Sequence, residues 1–200
     1  MLQRRNMLAT MLATGLLPSA ASAQETRPAS VRLNEPGPEN QALVQRAGLW
    51  DVTETWWDRP GGPPVTTTGL VAERRMVGSV LQELVRPLAD TAAQDIRRID
   101  YLHFKRVEGV WNYVSMVMRA PVGIMPAWSL DRGADGRIDL IFAPLTIAGG
   151  GPEVSGQMLR ITQAITYPDP DRDVKDQVFL LADGTGTKWL AHRYDYKRRA

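Results

Sequence analysis

From Gly48 onward the chain is cut into short runs rich in Val, Ile, Thr, Trp and Tyr, separated by strong turn formers. This pattern most constrains the fold, because such runs bury only one face and must pair with neighbours. The breakers are Asp58-Arg59-Pro60-Gly61-Gly62-Pro63-Pro64, Glu108-Gly109, Gly133-Ala134-Asp135-Gly136, Pro168-Asp169-Pro170-Asp171 and Asp183-Gly184-Thr185-Gly186. They predict about ten strands: Leu49–Trp57, Val65–Glu73, Val80–Arg86, Ile96–Arg106, Val110–Met118, Ala127–Asp131, Ile138–Phe142, Gln157–Tyr167, Val174–Ala182 and Thr187–Lys197. Closure removes the exposed edges that an open sheet of this size would leave. The expectation is an all-β fold, an antiparallel up-and-down β-barrel preceded by one short helix over Pro38–Ala47. A β-sandwich is the alternative, since the connections at 87–95 and 143–156 are long enough to cross over.

The opening residues read as an export signal. Arg4 and Arg5 precede an uncharged apolar run, Met7 to Leu17, then Pro18 and the small residues Ala21-Ser22-Ala23. The expected cleavage falls before Gln24. The apolar run is too short to cross roughly 30 Å of hydrocarbon, so no transmembrane anchor is expected. Arg4-Arg5-Asn6-Met7-Leu8 also resembles the twin-arginine signal, with an ordinary secretory n-region as the alternative. The implied organisation is a signal peptide at 1–23, a lead-in with a short helix at 24–47, and a barrel at 48–200. The implied location is periplasmic or secreted.

Composition excludes several functions. Arg4 and Arg5 are the only charged residues of 1–23, so without them the 24 basic residues fall to 22, equal to the 22 acidic ones. A balanced chain lacks the broad positive field that nucleic-acid binding requires. The sequence holds no cysteine, which removes disulfides, thiol catalysis and thiolate metal sites together. Gly149-Gly150-Gly151-Pro152 lacks the Lys-Ser/Thr of a phosphate loop, and no serine sits in a nucleophile elbow.

A short helix leading into Gly48-Leu49-Trp50 resembles the opening of lipocalin and related calycin barrels. The resemblance implies that Trp50 plugs one barrel end beneath an arginine of the last strand. Arg193 is the matching residue, with Lys197 and Arg198 as alternatives. Most of the mature chain is similar to an uncharacterised bacterial domain-of-unknown-function family of exported proteins with a lipocalin/calycin-like barrel. The similarity runs through Gly48-Leu49-Trp50-Asp51-Val52, Trp57, Pro60-Gly61-Gly62-Pro63-Pro64, Arg74-Arg75-Met76-Val77-Gly78, Leu81-Gln82-Glu83, Asp100-Tyr101 and Tyr194-Asp195-Tyr196-Lys197. The Pro121–Pro126 loop and the triple glycine depart from it. The family implies a fold and no chemistry, so no catalytic residue is carried over.

Few side chains stand out chemically. His103 and His192 are the only histidines, and no two ligand types show zinc spacing, so no metal or cofactor is assigned. Met116, Met118, Ile124 and Met125, between prolines, read as a deformable portal or as a loop packed on the barrel. The expected ligand-binding residues are His103, Tyr113, Arg160, Met116 and Met125, with Arg98 also available for a polar head. The leading function is the binding of a small apolar or amphipathic ligand inside the barrel. The alternatives are an enzyme using His103 with Asp100 or Glu83, and a structural envelope protein without ligand.

Overall fold

The structure, a computed structural model, describes residues 28–89, 95–133, 136–146 and 158–200. The residues read as an export signal and the triple-glycine stretch lie outside the described residues.

Among the described residues two short helices precede the sheet: α1 (Ala29–Asn34) and α2 (Pro38–Val44). Sequence reading anticipated only the second. Pro38 suits the first turn of α2, where its missing N–H costs nothing, and Glu39 lies at the favourable end of the helix dipole.

The strands are β1 (Gly48–Trp56), β2 (Val65–Val77), β3 (Val80–Pro87), β4 (Arg98–Lys105), β5 (Val110–Val117), β6 (Ile124–Trp128), β7 (Arg137–Phe142), β8 (Leu145–Thr146), β9 (Met158–Asp169), β10 (Arg172–Leu181) and β11 (Lys188–Arg198). Each pairs antiparallel with its neighbours, and the first and last close the ring through Trp50↔Arg198, Val52↔Tyr196, Glu54↔Tyr194 and Trp56↔His192. The barrel therefore has ten strands, and the two-residue β8 continues the β7 edge along β9. The β2–β3 turn shows how local sequence sets register. Val77 pairs with Val80 across Gly78-Ser79, and Gly78 at φ 61° supplies the positive φ that this tight turn needs.

Alternation then sorts side chains to two faces. On β4, Arg98, Asp100, Leu102 and Phe104 turn inward, while Ile99, Tyr101, His103 and Lys105 turn outward. A register shift between β10 and β11 sets Gln177 opposite His192 but Val178 opposite Leu190, leaving Ala191 as the extra residue. That bulge lets both Trp189 and His192 reach the interior, where each ring packs against Phe179.

Helix α2 covers the barrel end at which β4 finishes. Asn40 donates from Nδ2 to Phe104 O at 3.0 Å and accepts from Phe104 N at 2.8 Å. These groups lie beyond the last β3–β4 pair, Leu81↔Leu102, so Asn40 replaces a strand neighbour for otherwise orphaned backbone. Leu43 of the same helix is buried in the core. Among the described residues no helix is long and apolar enough to cross a membrane.

Candidate functional site

The barrel interior is stacked in three levels. At the α2 end sits Trp50, fully buried, with its Nε1 donating to Arg46 O at 3.1 Å. Two guanidinium groups stand against its ring, Arg198 at 4.3 Å and Arg74 at 4.7 Å from the centroid. The calycin resemblance implies an arginine of the last strand against Trp50, and the one that stands there is Arg198, the alternative to Arg193. Arg193 lies in the outward phase of β11 and forms a two-pronged pair with Asp176, both bonds 2.7 Å. The physical reason is parity. Tyr194, Tyr196 and Arg198 share the inward face, and Arg193 cannot join them.

Above the plug is a layer of buried charge. Arg74 (β2), Glu83 (β3), Arg98 and Asp100 (β4), and Asp173 and Lys175 (β10) are all buried. Three cations face three carboxylates. Arg74 Nε reaches Glu83 Oε2 at 2.6 Å and its Nη1 pairs with Asp173. Lys175 Nζ lies 2.7 Å from Glu83 Oε1 and 3.0 Å from Asp100 Oδ2. Arg98 Nη2 contacts Asp100 Oδ2 at 2.8 Å and Glu83 Oε1 at 3.3 Å, and donates to the Tyr196 hydroxyl at 2.8 Å. Tyr196 donates to Glu83 at 3.0 Å, Ser115 donates to Asp100 at 2.7 Å, and Arg46 meets Asp173 at 2.8 Å.

Burial alone would push the Glu83 carboxyl up and the Lys175 amine down. The charges of Lys175, Arg74 and Arg98 outweigh it for Glu83, which is held well below the usual carboxylate range. Asp100 and Glu83 do the same for Lys175, whose pKa is raised. Both groups stay ionised and paired, so neither is free to carry a proton.

Beyond this layer, at the end opposite Trp50, lies a cavity of about 400 Å³. This is within the range typical of small-molecule sites. Its apolar wall includes Leu70, Val85, Val117, Met125, Leu159 and Phe179. Its polar groups among the described residues are Glu54, Thr67, Gln177, His192, Tyr194, Arg97 and Arg98, with the exposed Arg119 at the mouth. His192 Nδ1 stands 3.4 Å from Glu54 Oε1, a long contact, and its ring stacks on Tyr194. Burial raises the Glu54 pKa, but the neighbouring His192 and Tyr194 side chains and the positive charge of Arg98 leave it below the ordinary value.

The expected ligand-binding residues divide between the two faces. Met125 is buried in β6 and lines the cavity, so this methionine belongs to a strand and not to a portal loop. Tyr113 is inward but lower, against the charged layer, where it borders a separate void of about 20 Å³. His103, Met116 and Arg160 point outward from β4, β5 and β9, and none of them lines the cavity. His103 and Asp100 stand on opposite faces of one strand, which leaves the pairing of that histidine with an interior acid without a geometry. Glu54, Gln177, Tyr194 and Arg97 were not singled out from sequence. Strand parity counted back from Arg198 identifies Tyr194 and His192, while Trp189 beyond the bulge needs the register itself.

No family model matches the chain, and neither does any curated protein. Among solved structures it is similar to Rv2717c from M. tuberculosis, at 18% identity, covering 83% of this chain and 100% of that one with a TM-score of 0.50. It also aligns with the structure of EF1p2_mFAP2b bound to DFHBI, at 10% identity, covering 80% and 98% of the two chains with a TM-score of 0.32. The first likeness shows the β-barrel fold alone, and the second is too loose to bear on fold or ligand.

Proposed function

We propose that this chain is an exported binding protein, periplasmic or secreted, of the calycin-like kind its sequence resembles. Its barrel holds a small apolar or amphipathic ligand in the cavity opposite Trp50. The observation that carries this reading is the division of the interior. The charged layer closes one half with its carboxylates already paired, while the other half keeps about 400 Å³ bounded mainly by aliphatic and aromatic side chains. An apolar wall with a few convergent polar groups is the usual chemistry of a small-molecule pocket. Such a site needs no proton carrier, and the carboxylates of the charged layer are fixed in ion pairs.

The test uses the mature protein and a neutral naphthylamine probe whose emission rises in apolar surroundings. Saturable binding with a raised melting temperature is expected, because a ligand that binds only the folded state stabilises it. Val117→Trp, which fills the cavity from the end of β5, should abolish probe binding while the far-ultraviolet spectrum stays β-type. A chain that binds no apolar probe, or whose binding survives Val117→Trp unchanged, rules out this cavity as the site.

A further inference from the structure

Resting on the binding reading above, we propose that the ligand is an anionic amphiphile whose carboxylate docks against Arg98 and Arg97 while its tail lies along the apolar wall. Arg98 is only 4% exposed, yet it lines the cavity. Its Nη2 serves the charged layer, contacting Asp100, Glu83 and Tyr196. Its Nε and Nη1 are buried and have no acceptor among the described residues. A buried guanidinium that leaves two N–H donors unanswered is an exception to the rule that buried polar groups find partners, and it calls for an acceptor from outside the chain.

Arg97 repeats the pattern. Its Nε and Nη1 are likewise buried without a hydrogen-bond acceptor, and the nearest carboxylate oxygen, Asp95 Oδ2, is 4.0 Å away on a side chain more than half exposed. Arg119 adds a third guanidinium at the mouth. Against these three, Glu54, 3.4 Å from His192 Nδ1, is the one carboxylate among the described residues that line the cavity. Asp100 and Glu83, which balance Arg98, line the small void of the charged layer and not this cavity. The cavity thus offers unspent donors and an excess of positive charge beside an apolar wall. An anion with an apolar tail satisfies both, because charge-assisted bonds to guanidinium are the strong ones and the tail gains from leaving water. A neutral carbonyl accepts from these donors without balancing their charge, and a cation would meet repulsion.

The experiment compares three probes with one tail: dansyl-undecanoic acid, its methyl ester and the corresponding amine. The wild-type protein should bind the acid at least tenfold more tightly than the ester or the amine. The acid-to-ester ratio should fall toward one in both Arg98→Met and Arg97→Met. Arg98 also neutralises Asp100 and Glu83, so its variant can fail to fold. Arg97→Met and the wild-type comparison do not depend on it. Equal or weaker binding of the acid, with the ester bound, overturns this proposal and leaves the binding reading standing. A ratio unchanged in folded Arg97→Met and Arg98→Met overturns it too. If no probe binds, the binding reading itself falls and this inference with it.

Discussion

Trp50 and Arg198 are strand partners whose side chains also stack, the guanidinium lying 4.3 Å from the ring centroid. The same guanidinium donates to Ala47 O at 3.0 Å and to the Gln45 carbonyl, just beyond α2. One side chain of the last strand therefore fastens the plug, the first strand and the covering helix.

That junction sets the scale of the first prediction. Trp50→Ala removes a large buried aromatic and should destabilise by about 3–5 kcal/mol in urea unfolding. Arg198→Ala loses the stacking and the carbonyl contacts and should cost about 1–2 kcal/mol. Arg193→Ala breaks only a pair on the outer face and should stay within about 1 kcal/mol. A larger loss from Arg193→Ala than from Arg198→Ala would return the plug role to Arg193.

Lys175→Met should destabilise by about 3–5 kcal/mol, because it leaves Glu83 and Asp100 buried with one cation fewer. Adding Asp100→Asn to Lys175→Met should recover part of that loss, and a double-mutant cycle measures the coupling. Purely additive losses would show that the two groups do not share one network.

The charged layer also dictates the pH dependence of stability. Glu83 has a folded pKa depressed below its ordinary 4.5, so it binds fewer protons folded than unfolded. Its contribution is present above about 4.5 and is lost as pH falls through the lower folded value. Lys175 is raised above its ordinary 10.5, so its contribution is full below that and fades only as pH rises through the folded value. Denaturation midpoints should decline in acid and in strong alkali, with Glu83→Gln flattening the acid limb. An acid limb of unchanged steepness in that variant would assign acid sensitivity elsewhere.

His103→Ala should leave probe affinity unchanged and shift stability by less than about 0.5 kcal/mol, since the imidazole lies on the outer face between Tyr101 and Lys105 in phase. Fluorescence titration and a thermal melt decide both halves.

Periplasmic material should begin at or near Gln24, as read by terminal sequencing or intact mass. Replacing Arg4-Arg5 by Lys-Lys should block export if the twin-arginine route is used, whereas unchanged export would assign the general secretory route.

The barrel was legible because turn chemistry and period-two runs are local properties. Gly78 after Val77 announces its hairpin without reference to anything distant. The charged layer was not, because a buried charge and a surface charge read alike along the chain. Glu73 is exposed and its neighbour Arg74 is buried. Only the pairing of β2 with β1 and β3 decides which of them faces inward. Parity could have excluded His103, since it sits between Leu102 and Phe104, both core residues. Trp189 lies beyond a bulge, where simple alternation stops working.

The closing contact between β1 and β11 also has a bearing on how the protein is made. β11, which completes the ring through Tyr194, Tyr196 and Arg198, is made after every other described strand. Until it emerges, β1 has a bare edge and Trp50 lacks its Arg198 neighbour. A nascent chain can form hairpins early but cannot seal the barrel before β11 is available, so closure comes late in folding. A chain stopped short of β11 would expose paired but unclosed strands, the state most open to capture by chaperones or by other copies of itself.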